Sequence, residues 1–169
     1  MVSNYETFYK IGIISPRTYS TGSHDPNSDL RTGLGKKIEE ILLALKKERK
    51  FIVGVSSLTL GLEQDFCDLC LKNEIDYMCF IAHEKQEEQW RKLPNYIYEK
   101  YIDLIKSSLS ITQVGDGVYS PRKVFRKHNR LINYCDAIIL IDSPMIKYDP
   151  LAKMLKKKRV FRIPWNVIH

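Results

Sequence analysis

Residues 119–142 read YSPRKVFRKHNRLINYCDAIILID, and this stretch decides the fold. Ser120 can accept hydrogen bonds from the first turn of a helix, and Pro121 suits the first helical position. The aliphatic run AIILI follows the helix at once, and Asp142 closes it. A helix that feeds a buried strand with a polar end is typical of a parallel α/β sheet, which binds ligands at that edge. The stretch therefore predicts a fold class and the edge of the sheet that holds the site.

The predicted helix in this stretch is amphipathic and basic. Its apolar side chains share one helical face, and they are Val124, Phe125, Leu131, Ile132 and Cys135. Its basic side chains fall mostly on the other faces, and they are Arg122, Lys123, Arg126, Lys127 and Arg130. We therefore expect the apolar face to pack on the sheet, and the basic face to meet solvent or an anionic polymer.

Outward from this stretch, aliphatic runs alternate with helical patterns along the chain. Further strands are predicted at residues 9–14, 51–55, 75–82, 108–115 and 159–163, and further helices at about 34–50, 62–73, 96–107 and 149–157. This alternation predicts an α/β fold, a Rossmann-like three-layer sandwich with a mostly parallel sheet of about five strands. No linker-like tract divides the chain, so residues 1–169 are expected to form a single domain.

Composition limits the kinds of partner. The formal net charge is +7 and 44% of the residues are hydrophobic, which favours a globular protein with anionic partners such as nucleotides or nucleic acid. No apolar run approaches the roughly 20 residues that span a bilayer, and the N-terminus has no apolar signal core. We therefore expect a cytoplasmic protein that does not bind membranes.

The carboxyl ends of the predicted strands carry the candidate ligand-binding residues. The turn after the second strand, SSLTLG, is rich in small hydroxylated residues and leads into a helix. The free N–H groups and the dipole of such a helix start favour an anion. The residues expected to bind the ligand at this edge are Ser15, Arg17, Ser56, Ser57, Thr59, Gly61 and Asp142.

Two carboxylates, Glu63 and Asp65, lie in the first turn of the helix that follows. Either is a candidate general base or acceptor for a ribose hydroxyl, and either could simply complement the helix dipole. No metal site or resident cofactor is predicted, because the Cys67–Cys70 pair sits inside a helix without a second Cys/His pair at ligand spacing. The four histidines are scattered, and the sequence shows a partner for none of them.

Four motifs in order resemble the SLOG superfamily of Rossmann-like nucleotide-binding proteins over residues 11–143. The motifs are Ser15-Pro16-Arg17, then TLGLEQDF at 59–66, then QEEQW at 86–90, and finally Tyr119-Ser120-Pro121 with HNRLI at 128–132 and CDAI at 135–138. The YpsA-like branch is the nearest in appearance, and the DprA-like and LOG-like branches are more distant. His128 stands where arginine is usual. The LOG hydrolase motif ends in glutamate, whereas this chain has Asp65 and lacks the two leading glycines.

The resemblance implies a nucleotide or nucleotide derivative over the 56–61 turn, approached by Arg17, Asn129 and Arg130. It also implies that two copies pair as a homodimer. Three functions remain open: a binding module that senses or sequesters a nucleotide derivative, a nucleotide N-glycosidase using Glu63 or Asp65, and a DprA-like binder of single-stranded DNA. The third would use the basic set Arg122, Lys123, Arg126 and Lys127. We rank the three in that order, and leave open whether the protein is an enzyme.

Overall fold

The computed structural model describes residues 7–15, 25–90, 92–117, 120–142 and 151–165. The expected ligand contact Arg17 lies outside the described residues, as does Tyr119 of the resemblance. The described part of the chain contains no helix that is both long enough and apolar enough to cross a membrane.

Six strands form one all-parallel sheet in the order β4-β3-β2-β1-β5-β6. In chain order the elements are β1 (Tyr9–Ile14), α1 (Asp29–Glu48), β2 (Ile52–Ser56), α2 (Leu62–Lys72), β3 (Tyr77–Ile81), a 3-10 helix (Gln86–Trp90), α3 (Asn95–Ser107), β4 (Ile111–Gln113), α4 (Pro121–Tyr134), β5 (Ala137–Asp142), α5 (Leu151–Leu155) and β6 (Arg159–Pro164). The predicted Rossmann-like α/β fold is confirmed. The sheet has six strands instead of about five, because β6 pairs with β5 along its whole length.

The strand order reverses direction at β1, which pairs with β2 on one side and with β5 on the other. The chain runs outward from β1 to β4 and then returns to place β5 beside β1. In a parallel sheet, this point of reversal opens a crevice at the carboxyl ends of the strands, where ligands bind. The end of β1, at Ile14 and Ser15, and the end of β5, at Asp142, therefore flank the crevice.

Helices cover both faces of the sheet, as the alternating pattern predicts. Helices α1, α2 and α3 pack on one face through a large apolar cluster, whose members include Leu34, Ile38, Leu42, Phe66, Tyr101 and Leu104. Helices α4 and α5 pack on the other face through a smaller cluster, which includes Leu131, Ile132, Cys135, Leu151 and Leu155. Because α2 and α4 lie on opposite faces, residues from both reach the carboxyl edge from two sides.

Two glycines let these helices approach the central strands closely. A Cβ atom on Gly12 of β1 would lie 2.7 Å from Leu131 Cδ2 and 2.8 Å from Cys135 Sγ, both on the α4 side. A Cβ atom on Gly54 of β2 would lie 2.8 Å from Cys70 Sγ of α2. These separations are shorter than van der Waals contact, so larger side chains would push α4 and α2 away from the sheet.

Serine caps fix where two of the helices begin. Ser120 Oγ accepts from the backbone N–H of Lys123 at 3.3 Å, which confirms the predicted cap of α4. Ser28 Oγ accepts from the N–H of Arg31 at 3.2 Å in the same way at the start of α1. The start of α4 is thus set by local sequence, and this in turn sets which of its side chains face the sheet.

Candidate functional site

The turn between β2 and α2, residues 57–61, lies at the carboxyl edge and has an unusual backbone. Leu58 has φ 55°, a left-handed conformation that is uncommon for a residue with a side chain, and that side chain is completely buried. Gly61 has φ 107° and ψ −127°, a conformation available essentially to glycine alone. Ser56 Oγ accepts from Leu58 N at 3.1 Å and donates to Glu63 O at 2.8 Å. The turn is therefore bent tightly and tied to the first turn of α2.

Two buried glutamine side chains hold the backbone carbonyls of this turn. Gln86, from the 3-10 helix after β3, donates to Ser57 O at 3.1 Å and accepts from Ala82 N at 2.9 Å. Gln64 of α2 donates to Leu58 O at 3.2 Å. Both side chains are at most 3% exposed, so these bonds form in a region shielded from water. Gln86, the first glutamine of the QEEQW motif, thus supports the turn through hydrogen bonds.

Glu63 is the most deeply buried charged residue of the site, with no exposed surface. Its Oε1 accepts from the N–H of Ser15 at 3.2 Å, and its Oε2 accepts from the N–H of Thr59 at 3.2 Å. The Ser57 hydroxyl donates a short hydrogen bond to the same Oε2 atom. One carboxylate therefore links the end of β1 to the turn after β2.

Two basic side chains of α4 approach the turn from the other face of the sheet. His128 Nε2 lies 3.6 Å from Glu63 Oε1 and 3.4 Å from Ser57 Oγ. Lys127 is only 3% exposed, and its Nζ donates to Thr59 Oγ1 at 3.2 Å. The edge thus combines one buried carboxylate, two basic groups and two hydroxyl groups within hydrogen-bond or ion-pair range.

The surroundings of Glu63 keep it ionised. Burial alone would raise the pKa of Glu63, but the adjacent His128, the charge of Lys127 and the hydrogen bond from Ser57 outweigh it and lower the pKa to about 2. At neutral pH the carboxylate is therefore charged and acts as an acceptor only. The negative charge of Glu63 is therefore stabilised inside the protein by His128 and Lys127.

Asp65, the second candidate carboxylate, faces a different part of the molecule. Arg31 of α1 makes two hydrogen bonds to it, at 2.5 and 2.8 Å, and Lys100 of α3 adds a third at 3.0 Å. Burial would raise the pKa of Asp65, but Arg31 and Lys100 outweigh it and lower the pKa. Asp65 therefore joins three helices on one face of the sheet, whereas Glu63 lies at the sheet edge.

Of the site residues predicted from the sequence, some lie together at the turn and others lie away from it. Gathered at the turn are Ser15, Ser56, Ser57, Thr59, Gly61, Glu63 and Lys127. Asp142 instead forms an ion pair with Arg162 at 3.3 Å, and Asn129 accepts a hydrogen bond from Asn133 at 3.0 Å. Within the described residues, neither these two nor the exposed Arg130 makes a hydrogen bond or ion pair to the turn.

The predicted basic face of α4 divides into an inner and an outer group. Arg122 and Arg126 are exposed, as is Arg130 one turn further on. Lys123 donates to the backbone carbonyl of Asp116, and Lys127 points inward to Thr59. The exposed face is therefore made of three arginines, and Lys127 belongs to the sheet edge.

His128 is the residue of this site that sequence reasoning assigned to no role. A signal was present in the helical period, because Lys127 and His128 precede Leu131 and Ile132 by one turn. Both positions therefore fall on the face of α4 that packs on the sheet. Basic residues on an apolar helical face indicate a buried charge partner, and here that partner is Glu63.

Comparison with known proteins identifies a similar fold. No protein-family model matches the chain, and no curated protein matches it significantly. Among solved structures, the chain is similar to the X-ray structure of DNA processing protein A (DprA) from Streptococcus pneumoniae, with a TM-score of 0.63 and 15% sequence identity. The match covers 98% of this chain and 53% of that one, so the chain spans about half the length of DprA. The likeness shows that the two share a Rossmann-like fold.

Proposed function

We propose that the carboxyl edge of the sheet binds a phosphate-bearing small molecule, a nucleotide or nucleotide derivative, as a SLOG-type sensing or sequestering module. The observation that carries this is the approach of Lys127 and His128 to the hydroxyl-rich turn at the start of α2. This pairing lies beside the point where the strand order reverses, which is where parallel α/β sheets bind ligands.

The backbone N–H groups around the turn fall into two sets, and this supports an anionic ligand. Glu63 takes up the inward donors, namely the N–H groups of Ser15 and Thr59. The backbone N–H groups of Leu60, Gly61 and Leu62 have no hydrogen-bond partner among the described residues. Free N–H groups at the start of a helix favour a phosphate, and the Thr59 hydroxyl adds a further donor.

A thermal-shift assay with nucleoside monophosphates and diphosphates tests this proposal, with the unphosphorylated nucleosides as controls. We expect nucleotides alone to raise the melting temperature, by an amount equivalent to about 3 kcal/mol at a hundred times Kd. Thr59→Val should weaken the effect, whereas Thr32→Val on the exposed side of α1 should not. Mass spectrometry of small molecules released from the purified protein would identify a retained ligand. If no nucleotide stabilises the protein, the proposal fails.

Nucleic acid is a second candidate ligand, favoured by the exposed arginines of α4. Arg122, Arg126 and Arg130 form a basic surface, and the fold is similar to that of a DNA processing protein. Such a surface neutralises phosphates, so the affinity should fall steeply as salt rises. Replacing the three arginines with glutamine should remove DNA binding in this case and leave the nucleotide-induced thermal shift intact.

Hydrolysis of a nucleotide at the same edge is a third candidate. It would need Glu63 or Asp65 as the carboxylate, and both are ionised and held by basic partners. Release of free base from nucleoside monophosphates, followed by chromatography, tests for it. Turnover that survives in both Glu63→Gln and Asp65→Asn would exclude these carboxylates.

A further inference from the structure

A second polar and aromatic surface lies at the opposite, amino edge of the sheet, where β1 and β2 begin. A cavity of about 390 Å³ opens there, lined by residues that include Phe8, Arg49, Lys50, Phe51 and Asp136. Its volume falls within the range of about 300–1,000 Å³ that is usual for small-ligand sites. None of these residues belongs to the carboxyl-edge site, so the two surfaces are separate.

An aromatic pair lines this cavity. The rings of Phe8 and Phe51 stack with their centroids 5.1 Å apart and their planes inclined by 22°. Phe51 is 52% exposed and immediately precedes β2, and its backbone carbonyl accepts from Tyr9 N at 3.0 Å. The backbone bond places Phe51 at the edge of the sheet, and its ring presents an apolar plane at the surface beside Phe8.

Basic groups surround this plane and lie over aromatic rings. Lys50 Nζ lies 5.2 Å from the centroid of the Phe51 ring, and the Arg49 guanidinium lies 4.5 Å from that of Tyr9. Lys50 has no carboxylate partner among the described residues. The carboxylate of Asp136 accepts a hydrogen bond from the backbone N–H of Lys10 at 2.8 Å, so one of its oxygens is bonded within the protein. Arg49 Nε lies 3.6 Å from Glu48 Oε1, a partly exposed ion pair, so Lys50 is the cation of the rim that is more readily available to a phosphate beside the stacked ring.

We propose that this amino-edge cavity binds single-stranded nucleic acid, with one base stacked on Phe51 and the flanking phosphates paired with Arg49 and Lys50. A flat apolar ring beside cations suits sequence-tolerant binding of single strands, because every base has a stacking face and every nucleotide carries a phosphate. A base takes the place of the Lys50 side chain over the ring, and the freed ammonium turns to the phosphate. This site is separate from both the carboxyl edge and the arginine face of α4.

Fluorescence anisotropy of a labelled oligothymidylate with the full chain tests the proposal. We expect Phe51→Ala to weaken binding about tenfold, whereas Tyr98→Ala, which removes an equally exposed aromatic ring on α3, should leave it unchanged. The double variant R49Q/K50Q should lower the slope of log affinity against log salt by about 1.4, at about 0.7 per phosphate contact. The double variant K36Q/K37Q removes the same charge from exposed positions of α1 and should reduce the slope less.

Four results would overturn the proposal. One is the absence of oligonucleotide binding at low salt, and another is unchanged binding by Phe51→Ala in a protein with native circular dichroism. A third is equal competition by a duplex of the same length, since paired bases cannot stack on the ring. The fourth is loss of binding only in the variant lacking the α4 arginines, which would place the strand on that face. None of these results bears on nucleotide binding at the carboxyl edge, so the two proposals can fail separately.

Discussion

The two edges of the sheet carry similar chemical groups in opposite physical states. At the carboxyl edge, Glu63 and Lys127 are almost completely buried and are bonded to the turn. At the amino edge, Phe51 is half exposed and Lys50 rests over its ring. Buried charges must be compensated within the protein, whereas exposed ones are compensated by water. The carboxyl edge should therefore affect stability strongly, and the amino edge should affect binding with little change in stability.

Replacing Glu63 with glutamine tests this contrast with the largest expected effect. The neutral amide would remove the charge that His128 and Lys127 stabilise in the folded protein. It would also place an NH₂ group against the backbone N–H groups of Ser15 and Thr59, which now donate to the carboxylate. We expect a loss of about 3–5 kcal/mol in the free energy of unfolding, measured by urea denaturation. Glu40→Gln, at an exposed position of α1, is the control. A loss below about 1 kcal/mol would mean that Lys127 is hydrated and the edge is not sealed.

Acid titration of stability tests the same carboxylate without a mutation. The pKa of Glu63 is about 2 in the folded protein and 4.5 for a free glutamate, so below pH 4.5 the unfolded chain binds the additional proton. The stabilisation is therefore fully present above about pH 4.5, and it is lost as the pH falls towards 2. We expect Glu63 to account for about 3 kcal/mol of this loss, at 1.36 kcal/mol per pKa unit. Glu63→Gln should flatten this part of the profile.

Asp65→Asn tests the ion pairs that join α1, α2 and α3 without changing the carboxylate at the sheet edge. The carboxylate of Asp65 binds Arg31 and Lys100, and among the described residues only the backbone N–H of Asp65 bonds to the turn, at Gly61 O, so the substitution should cost about 2 kcal/mol of stability. The pKa of Asp65 is also lowered in the folded protein, so Asp65 contributes stability that is lost as the pH falls below about 4. The variant should lose this part of the pH dependence of stability. Nucleotide-induced thermal shifts should persist. A variant of normal stability that no longer responds to nucleotides would place Asp65 in the ligand site instead.

Phe51→Ala has the smallest expected effect on stability and tests the other half of the comparison. The ring stacks on Phe8 but is 52% exposed, so the loss should stay below about 1 kcal/mol in the same urea experiment. A loss as large as that of Glu63→Gln would show that the amino edge is part of the core, and would remove the contrast between the edges.

The sequence predicted the sheet and its edge because helical and strand periods are local properties. It placed the hydroxyl turn correctly at the end of β2, and the Ser120 cap at the start of α4. It did not separate Glu63 from Asp65, because both lie in the first turn of one helix and only tertiary packing directs one to the edge and the other to Arg31. Likewise, Lys127 joined the solvent-facing basic set because its partner Thr59 is 68 residues away in the chain.

The internal carboxylate also affects how a ligand would enter the site. Loops that close on a phosphate usually lose conformational freedom as they bind, and this loss reduces affinity and slows association. Here Glu63, Gln64 and Gln86 already hold the turn through its own backbone. A ligand meets a turn whose ordering was completed during folding. Association at this edge should therefore be fast and nearly independent of any rearrangement of residues 56–64, with selectivity set by dissociation.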